Sequence, residues 1–189
     1  MEFIKTYPNV LSDLMCENII KFYQDSDKKK DGITTGGINK EIKNSLDLFY
    51  EDIDNSEWYF YVNYIRDIIT IKLRLYSYDL NEGSFLNKKV MNFSSFEEYG
   101  FQIQEYIANE GYYNFHNDFS IKNGKYRAIT FLFYLNDVEE GGETEFYNGM
   151  KIKPEKGKLL FFPASWNYPH KGNIPISNDK YILTGWLYF

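Results

Sequence analysis

The chain has two histidines, His116 and His170, and both fall in its second half. His116 stands in Gly111-Tyr112-Tyr113-Asn114-Phe115-His116-Asn117-Asp118, with a carboxylate two residues further on. Side chains along a β-strand repeat with period two, so a strand here projects His116 and Asp118 from one face. A histidine from a second strand, His170, closes a set of two imidazoles and one carboxylate. Such a set grips one side of a metal and leaves the other side open, the facial arrangement that non-haem Fe(II) uses in oxygenation. Zinc accepts the same donors, so spacing alone leaves the metal open. A metal-free reading makes both histidines strand-end residues and Asp118 a turn former.

Lys180 follows ten residues after His170, at the head of an apolar run. On a strand, Lys180, Ile182, Thr184 and Trp186 share one face suited to a barrel interior. An inward ammonium without an anionic partner is very costly, and a dicarboxylate co-substrate would supply one. The alternative for Lys180 is an exposed cation at a strand end.

Helices and strands must position these groups. Residues 3–10 read as a short strand or extended entry. Ser12 caps a helix starting at Asp13, with Met15, Ile19, Phe22 and Tyr23 at helical spacing. That helix gives out in 24–32, residues 34–37 form a loop, and 41–49 is ambiguous between strand and helix. Ser56 caps a longer helix with Trp58, Val62, Ile65 and Ile69 on one stripe, running towards Tyr76, and 81–92 reads as loop. Residues 1–95 are therefore expected to be mainly helical support within a single domain.

From Phe96 the pattern is β, and residues 96–189 are expected to form the catalytic core. Over 101–107, Phe101, Ile103 and Glu105 face one way and Gln102, Gln104 and Tyr106 the other. Strands follow at 126–135, 143–147, 150–152, 158–163 and 181–189, separated by Gly and Pro punctuation, with a turn at 136–142. Several short strands at close spacing indicate a sandwich or barrel. The fold class expected is mainly β with N-terminal helices on the outside of a double-stranded β-helix (jelly-roll) core.

Composition narrows the partners. A net charge of -6 argues against a nucleic-acid surface, which would be basic. The one cysteine, Cys16, excludes an intrachain disulfide and fits a reducing compartment. No signal sequence is evident, and no apolar run reaches the ~20 residues of a membrane span. A cytoplasmic protein with no membrane partner is expected.

The second half resembles the prolyl 4-hydroxylase-like branch of the Fe(II)/2-oxoglutarate-dependent dioxygenases. The matching pieces are Gly111-x-Tyr113-x-x-His116-x-Asp118 and Arg127-x-x-Thr130-x-x-x-Tyr134-Leu135-Asn136. Gly141-Gly142-Glu143-Thr144-x-Phe146, Pro154-x-x-Gly157, Phe161-Phe162, His170, Lys180 and Trp186 follow in order. The resemblance implies that His116, Asp118 and His170 hold Fe(II). It implies that Lys180 pairs with the distal carboxylate of 2-oxoglutarate, helped by Tyr106 and the Thr144 hydroxyl, and that Arg127, Tyr113 and Trp186 lie near the substrate. O₂ would be the oxidant, succinate and CO₂ the co-products and ascorbate the reductant. Related halogenating enzymes replace the carboxylate ligand with a small residue, and retention of Asp118 favours hydroxylation.

The gap from Asp118 to Arg127 is short, which leaves no large substrate-covering insertion there. The resulting expectation is hydroxylation of a peptidyl residue, proline first, or of a free amino acid. Oxidative demethylation of nucleic acid fits the acidic charge poorly. A non-catalytic jelly-roll module that binds a metal or ligand is the alternative from another class, since this architecture hosts many functions.

Overall fold

Alternation along the strand Lys125–Tyr134 sends Ile129, Phe131 and Phe133 into one apolar cluster and Leu132 and Tyr134 into a second. That division organises the molecule. The computed structural model describes residues 3–53, 56–82 and 96–189. In chain order the elements are β1 (Lys5–Tyr7), α1 (Asp13–Asp25), β2 (Lys30–Asp31), β3 (Ile33–Thr34), β4 (Gly37–Ile38), β5 (Lys43–Asn44) and β6 (Leu46–Phe49). A 3-10 turn at Tyr50–Asp52 leads to α2 (Ser56–Glu82) and then β7 (Glu97–Tyr106), β8 (Tyr112–His116), β9 (Ile121–Lys122) and β10 (Lys125–Tyr134). The chain ends with β11 (Thr144–Phe146), β12 (Lys151–Ile152), β13 (Leu159–Pro163), β14 (His170–Gly172) and β15 (Lys180–Tyr188).

Two antiparallel sheets make the jelly roll expected from the sequence. The larger runs β1-β13-β10-β15-β7-β6-β2, with β9 paired to β10, and the smaller runs β12-β11-β14-β8-β5. One face of the larger sheet is covered by the helices: Cys16, Ile19 and Tyr23 of α1 and Trp58, Val62, Ile65 and Ile69 of α2 join Phe101, Ile103 and Leu183 in one core. The opposite face, carrying Tyr106, Leu132, Phe162 and Ile182, packs with Phe146 of the smaller sheet.

Local chemistry explains the start of α1. Ser12 caps α1, its hydroxyl accepting from the Met15 amide at 3.3 Å. Ser56 is the first residue of α2 rather than its cap, and α2 continues beyond Tyr76 to Glu82. Asn81 and Glu82, expected in a loop, are therefore helical, and the remainder of that expected loop lies outside the described residues. The stretch 33–38 forms the hairpin β3–β4, and the ambiguous 41–49 resolves into β5 and β6. Residues before 96 thus supply strands to both sheets: β6 pairs with β7, and β5 with β8.

Candidate metal and co-substrate site

Between the sheets lies a cleft of about 450 Å³, lined by His116, Asp118, His170, Lys180, Arg127 and Trp186 among others. His116 is the last residue of β8 and His170 the first of β14, and the two are register partners in the smaller sheet. Asp118 arrives differently from the same-strand projection expected for it. The strand stops at His116, and the Asn117 side chain accepts from the Phe119 amide at 3.1 Å in a turn that breaks the ladder. The carboxylate is carried in from this turn and pinned from the other sheet, where the Thr130 hydroxyl donates to it at 2.7 Å. His116 Nε2 then lies 3.6 Å from one carboxylate oxygen, and His170 Nε2 lies 3.7 Å from the other. One ligand atom from each residue falls within 4.8 Å of the others.

Both rings are oriented by backbone. His116 Nδ1 sits 2.8 Å from the Asn114 carbonyl and His170 Nδ1 3.1 Å from the Tyr168 carbonyl. A carbonyl only accepts, so each Nδ1 carries a proton and each Nε2 faces Asp118. Burial, followed by the neighbouring His170, pushes the His116 imidazolium down to about 3, so the ring is neutral at physiological pH. Burial alone would raise Asp118, but the two imidazoles and the Thr130 hydroxyl outweigh it and hold the carboxyl below its ordinary value. A neutral His116 imidazole and an ionised Asp118 carboxylate are protonation states a divalent metal requires. This donor set fits the metal that the sequence motif implies.

Lys180 opens β15 opposite Tyr106 of β7 and is 2% exposed. Its ammonium donates to the Gly142 carbonyl at 3.0 Å and sits 4.5 Å from the Tyr106 ring centroid. Gly142 lies in the left-handed region at φ +72, where glycine is favoured. Burial lowers the Lys180 pKa to about 7, with Glu143 opposing the shift. Among the described residues no carboxylate comes within ion-pair distance of Lys180. A buried cation lacking an anion is what a ligand carboxylate would complete. Thr144 lines the same cleft, its hydroxyl oxygen accepting from Tyr134 at 2.7 Å.

The three groups expected near a substrate also meet here. Tyr113 stacks on the His116 ring with centroids 3.5 Å apart and planes 12° apart. The Arg127 guanidinium lies over the Trp186 ring at 3.6 Å and donates from Nε to Tyr188 at 2.9 Å. Strict alternation would send Arg127 the same way as Ile129, into the helix-covered core. The β10–β15 register shifts between Arg127 and Ile129, and this bulge restores Arg127 to the cleft. Trp186 Nε1 is buried and close enough to Asp118 to help hold its carboxyl in the ionised form.

Sequence reasoning missed a second buried cation. Lys43, on β5, is 2% exposed and pairs at 2.5 Å with Asp47, which is fully buried. Ser45 and Gln104 also donate to Asp47, at 2.8 and 3.3 Å, and Gln104 accepts from Tyr106 at 2.8 Å. Gln104 was legible as a residue on the Tyr106 face. Lys43 and Asp47 sit on separate short strands and gave no periodic signal.

Residues 101–188 match the family model of the 2OG-Fe(II) oxygenase superfamily. The curated relatives that the chain is similar to are prolyl 4-hydroxylases. A probable prolyl 4-hydroxylase of Arabidopsis thaliana is 34% identical over 120 residues, which cover 47% of this chain and 42% of that protein. The chain therefore spans less than half the length of that relative. The viral collagen prolyl hydroxylase of Paramecium Bursaria Chlorella virus-1, solved with 2-oxoglutarate, superposes with a TM-score of 0.67 at 22% identity, covering 98% of this chain and 96% of that one. A prolyl hydroxylase from Trichoplax adhaerens, solved with a peptide fragment of hypoxia inducible factor, gives 0.72 at 18% identity, covering 100% and 84%.

Proposed function

We propose that this chain is an Fe(II)/2-oxoglutarate-dependent hydroxylase acting on a peptidyl residue, with proline first and a free amino acid second. The observation that carries the reading is the convergence in one cleft of three candidate metal-ligand atoms within 4.8 Å and a buried ammonium with no carboxylate in ion-pair distance among the described residues. In this proposal His116, Asp118 and His170 hold Fe(II), and Lys180 pairs with the distal carboxylate of 2-oxoglutarate beside the Thr144 hydroxyl. Bound there, Fe(II) with O₂ would oxidise the keto acid to succinate and CO₂ and hydroxylate a substrate C–H.

The chain's own residues do the positioning. Backbone carbonyls fix both imidazole tautomers, Thr130 holds the carboxylate, and Lys180 neutralises the co-substrate. Arg127, Trp186 and Tyr113 form the wall against which the substrate is set. Prolyl relatives support a peptide substrate, and the acidic net charge of -6 supports a peptide over nucleic acid. Ascorbate as the reductant belongs to the same proposal. So does a reducing, cytoplasmic setting, which the buried free thiol of Cys16 supports. Among the described residues no helix is long and apolar enough to cross a membrane.

Anaerobic addition of Fe(II) and 2-oxoglutarate should give a weak visible charge-transfer band that His116→Ala abolishes. Oxygen-dependent succinate release, stimulated by proline-containing peptides, should follow. Metal uptake with no response to the keto acid would instead indicate a binding module.

A further inference from the structure

We propose that Asp47 is a positioning residue that turns the Tyr106 hydroxyl away from the co-substrate, leaving Lys180 and Thr144 to hold the distal carboxylate. The inference rests on the 2-oxoglutarate reading above and departs from the role that family resemblance implies for Tyr106.

The geometry is a chain of obligate acceptors and donors. Asp47 is fully buried and takes the Lys43 ammonium at 2.5 Å on the same oxygen, Oδ2, that accepts from Gln104 Nε2 at 3.3 Å. Its other oxygen accepts from Ser45 at 2.8 Å. A salt-bridged carboxylate can only accept, so Gln104 must present its amide nitrogen to Asp47 and its carbonyl oxygen to Tyr106. That oxygen accepts the Tyr106 O–H at 2.8 Å. A phenol has one proton, and here it is spent inward.

Turning Gln104 over would set its carbonyl against the Asp47 carboxylate in a buried setting, where an unmatched polar contact is expensive. Towards a ligand carboxylate, Tyr106 therefore offers oxygen lone pairs, which repel it. Its ring is used otherwise, lying 4.5 Å from the Lys180 ammonium. Thr144 is arranged the opposite way: its oxygen accepts from Tyr134 at 2.7 Å, so its own proton is left for a ligand in the cleft.

The test is 2-oxoglutarate affinity, measured by anaerobic calorimetry and by the charge-transfer band on Fe(II)-loaded protein. Tyr106→Phe should bind within about twofold of the native chain, whereas Thr144→Val should lose about tenfold or more, the effect of a charge-assisted hydrogen bond. A tenfold loss in Tyr106→Phe would overturn the inference. The role of Asp47 is read from a second background, Lys43→Met with Asp47→Asn, which removes both charges together and lets Gln104 turn either way. There the Tyr106 proton is no longer obliged to point at Gln104, so adding Tyr106→Phe should weaken binding by more than the twofold limit of the native background. An equal, small effect in both backgrounds would overturn the positioning role. If the paired variant does not fold, Tyr106→Phe in the native chain still decides where the proton goes. A native chain that binds Fe(II) but no 2-oxoglutarate overturns the functional reading beneath, an outcome distinct from either of these.

Discussion

His116 and His170 stand directly opposite one another on the antiparallel pair β8–β14, with ring centroids 4.3 Å apart. Each ring is tied to a carbonyl two residues earlier in its own chain segment. The smaller sheet therefore presents both candidate nitrogen ligands as a rigid pair, and the carboxylate alone is supplied from irregular chain. Its anchor is the Thr130 hydroxyl, on the opposite sheet.

Thr130→Val removes that anchor while conserving shape. Fe(II) affinity should fall by roughly 10–100-fold, the usual effect of losing a group that orients a ligand. Metal titration against a colorimetric chelator would measure this, and an unchanged affinity would show that Asp118 needs no support.

Lys180 gives a pH signature for the co-substrate. With its pKa near 7 in the ligand-free protein, the ammonium is charged below that value and neutral above it. Binding a carboxylate at higher pH requires proton uptake, so the 2-oxoglutarate Kd should rise by up to about tenfold per pH unit above roughly pH 7. Calorimetry in buffers of different ionisation enthalpy would count the proton.

The same residue limits the stability of the ligand-free fold. Burial lowers its pKa from 10.5 to about 7, so across that window the unfolded chain binds more protons than the folded one. Stability therefore rises with pH between these values, and the penalty is fully present below about 7. Lys180→Met should stabilise the ligand-free protein at pH 6 by an amount on the order of a few kcal/mol, and much less near pH 10.5. Urea melts at the two pH values would show it.

The Lys43–Asp47 pair is buried on both sides, at 2% and 0% exposure. Lys43→Met alone leaves Asp47 uncompensated and should cost about 3–5 kcal/mol. Replacing both partners with apolar residues should recover most of that loss, because neither charge is then stranded. Chemical denaturation of the single and double variants separates the two cases.

Arg127 over Trp186 should matter to the substrate and not to the co-substrate. Arg127→Gln is expected to raise the peptide KM by roughly 3–30-fold, the range of a desolvated cation–π contact, with 2-oxoglutarate affinity nearly unchanged. Parallel titrations of peptide and keto acid would distinguish this from general damage to the cleft.

Some of this site was legible in the sequence because it follows simple periods. Lys180, Ile182, Thr184 and Trp186 alternate along one strand and do line the cleft together. Gln102, Gln104 and Tyr106 do the same on β7. Three features broke the period. Asp118 leaves the strand that carries His116, since the Asn117 turn ends the ladder first. Arg127 reaches the cleft only because a bulge beside Ile129 reverses the alternation. Lys43 and Asp47 come together across the junction of β5 and β6, strands that belong to different sheets. Neither strand is long enough to show a pattern.

The β5–β6 segment also bears on how this protein can be dissected. It covers the edge of β7, and it lays Lys43 against Tyr113, which stacks on the His116 ring. Shortening the chain to residues 96–189 would keep every candidate iron ligand and still uncover a strand edge and one wall of the cleft. An uncovered edge invites pairing between copies. Such a fragment should self-associate before it can work as a minimal enzyme, and transplantation experiments should begin upstream of residue 30.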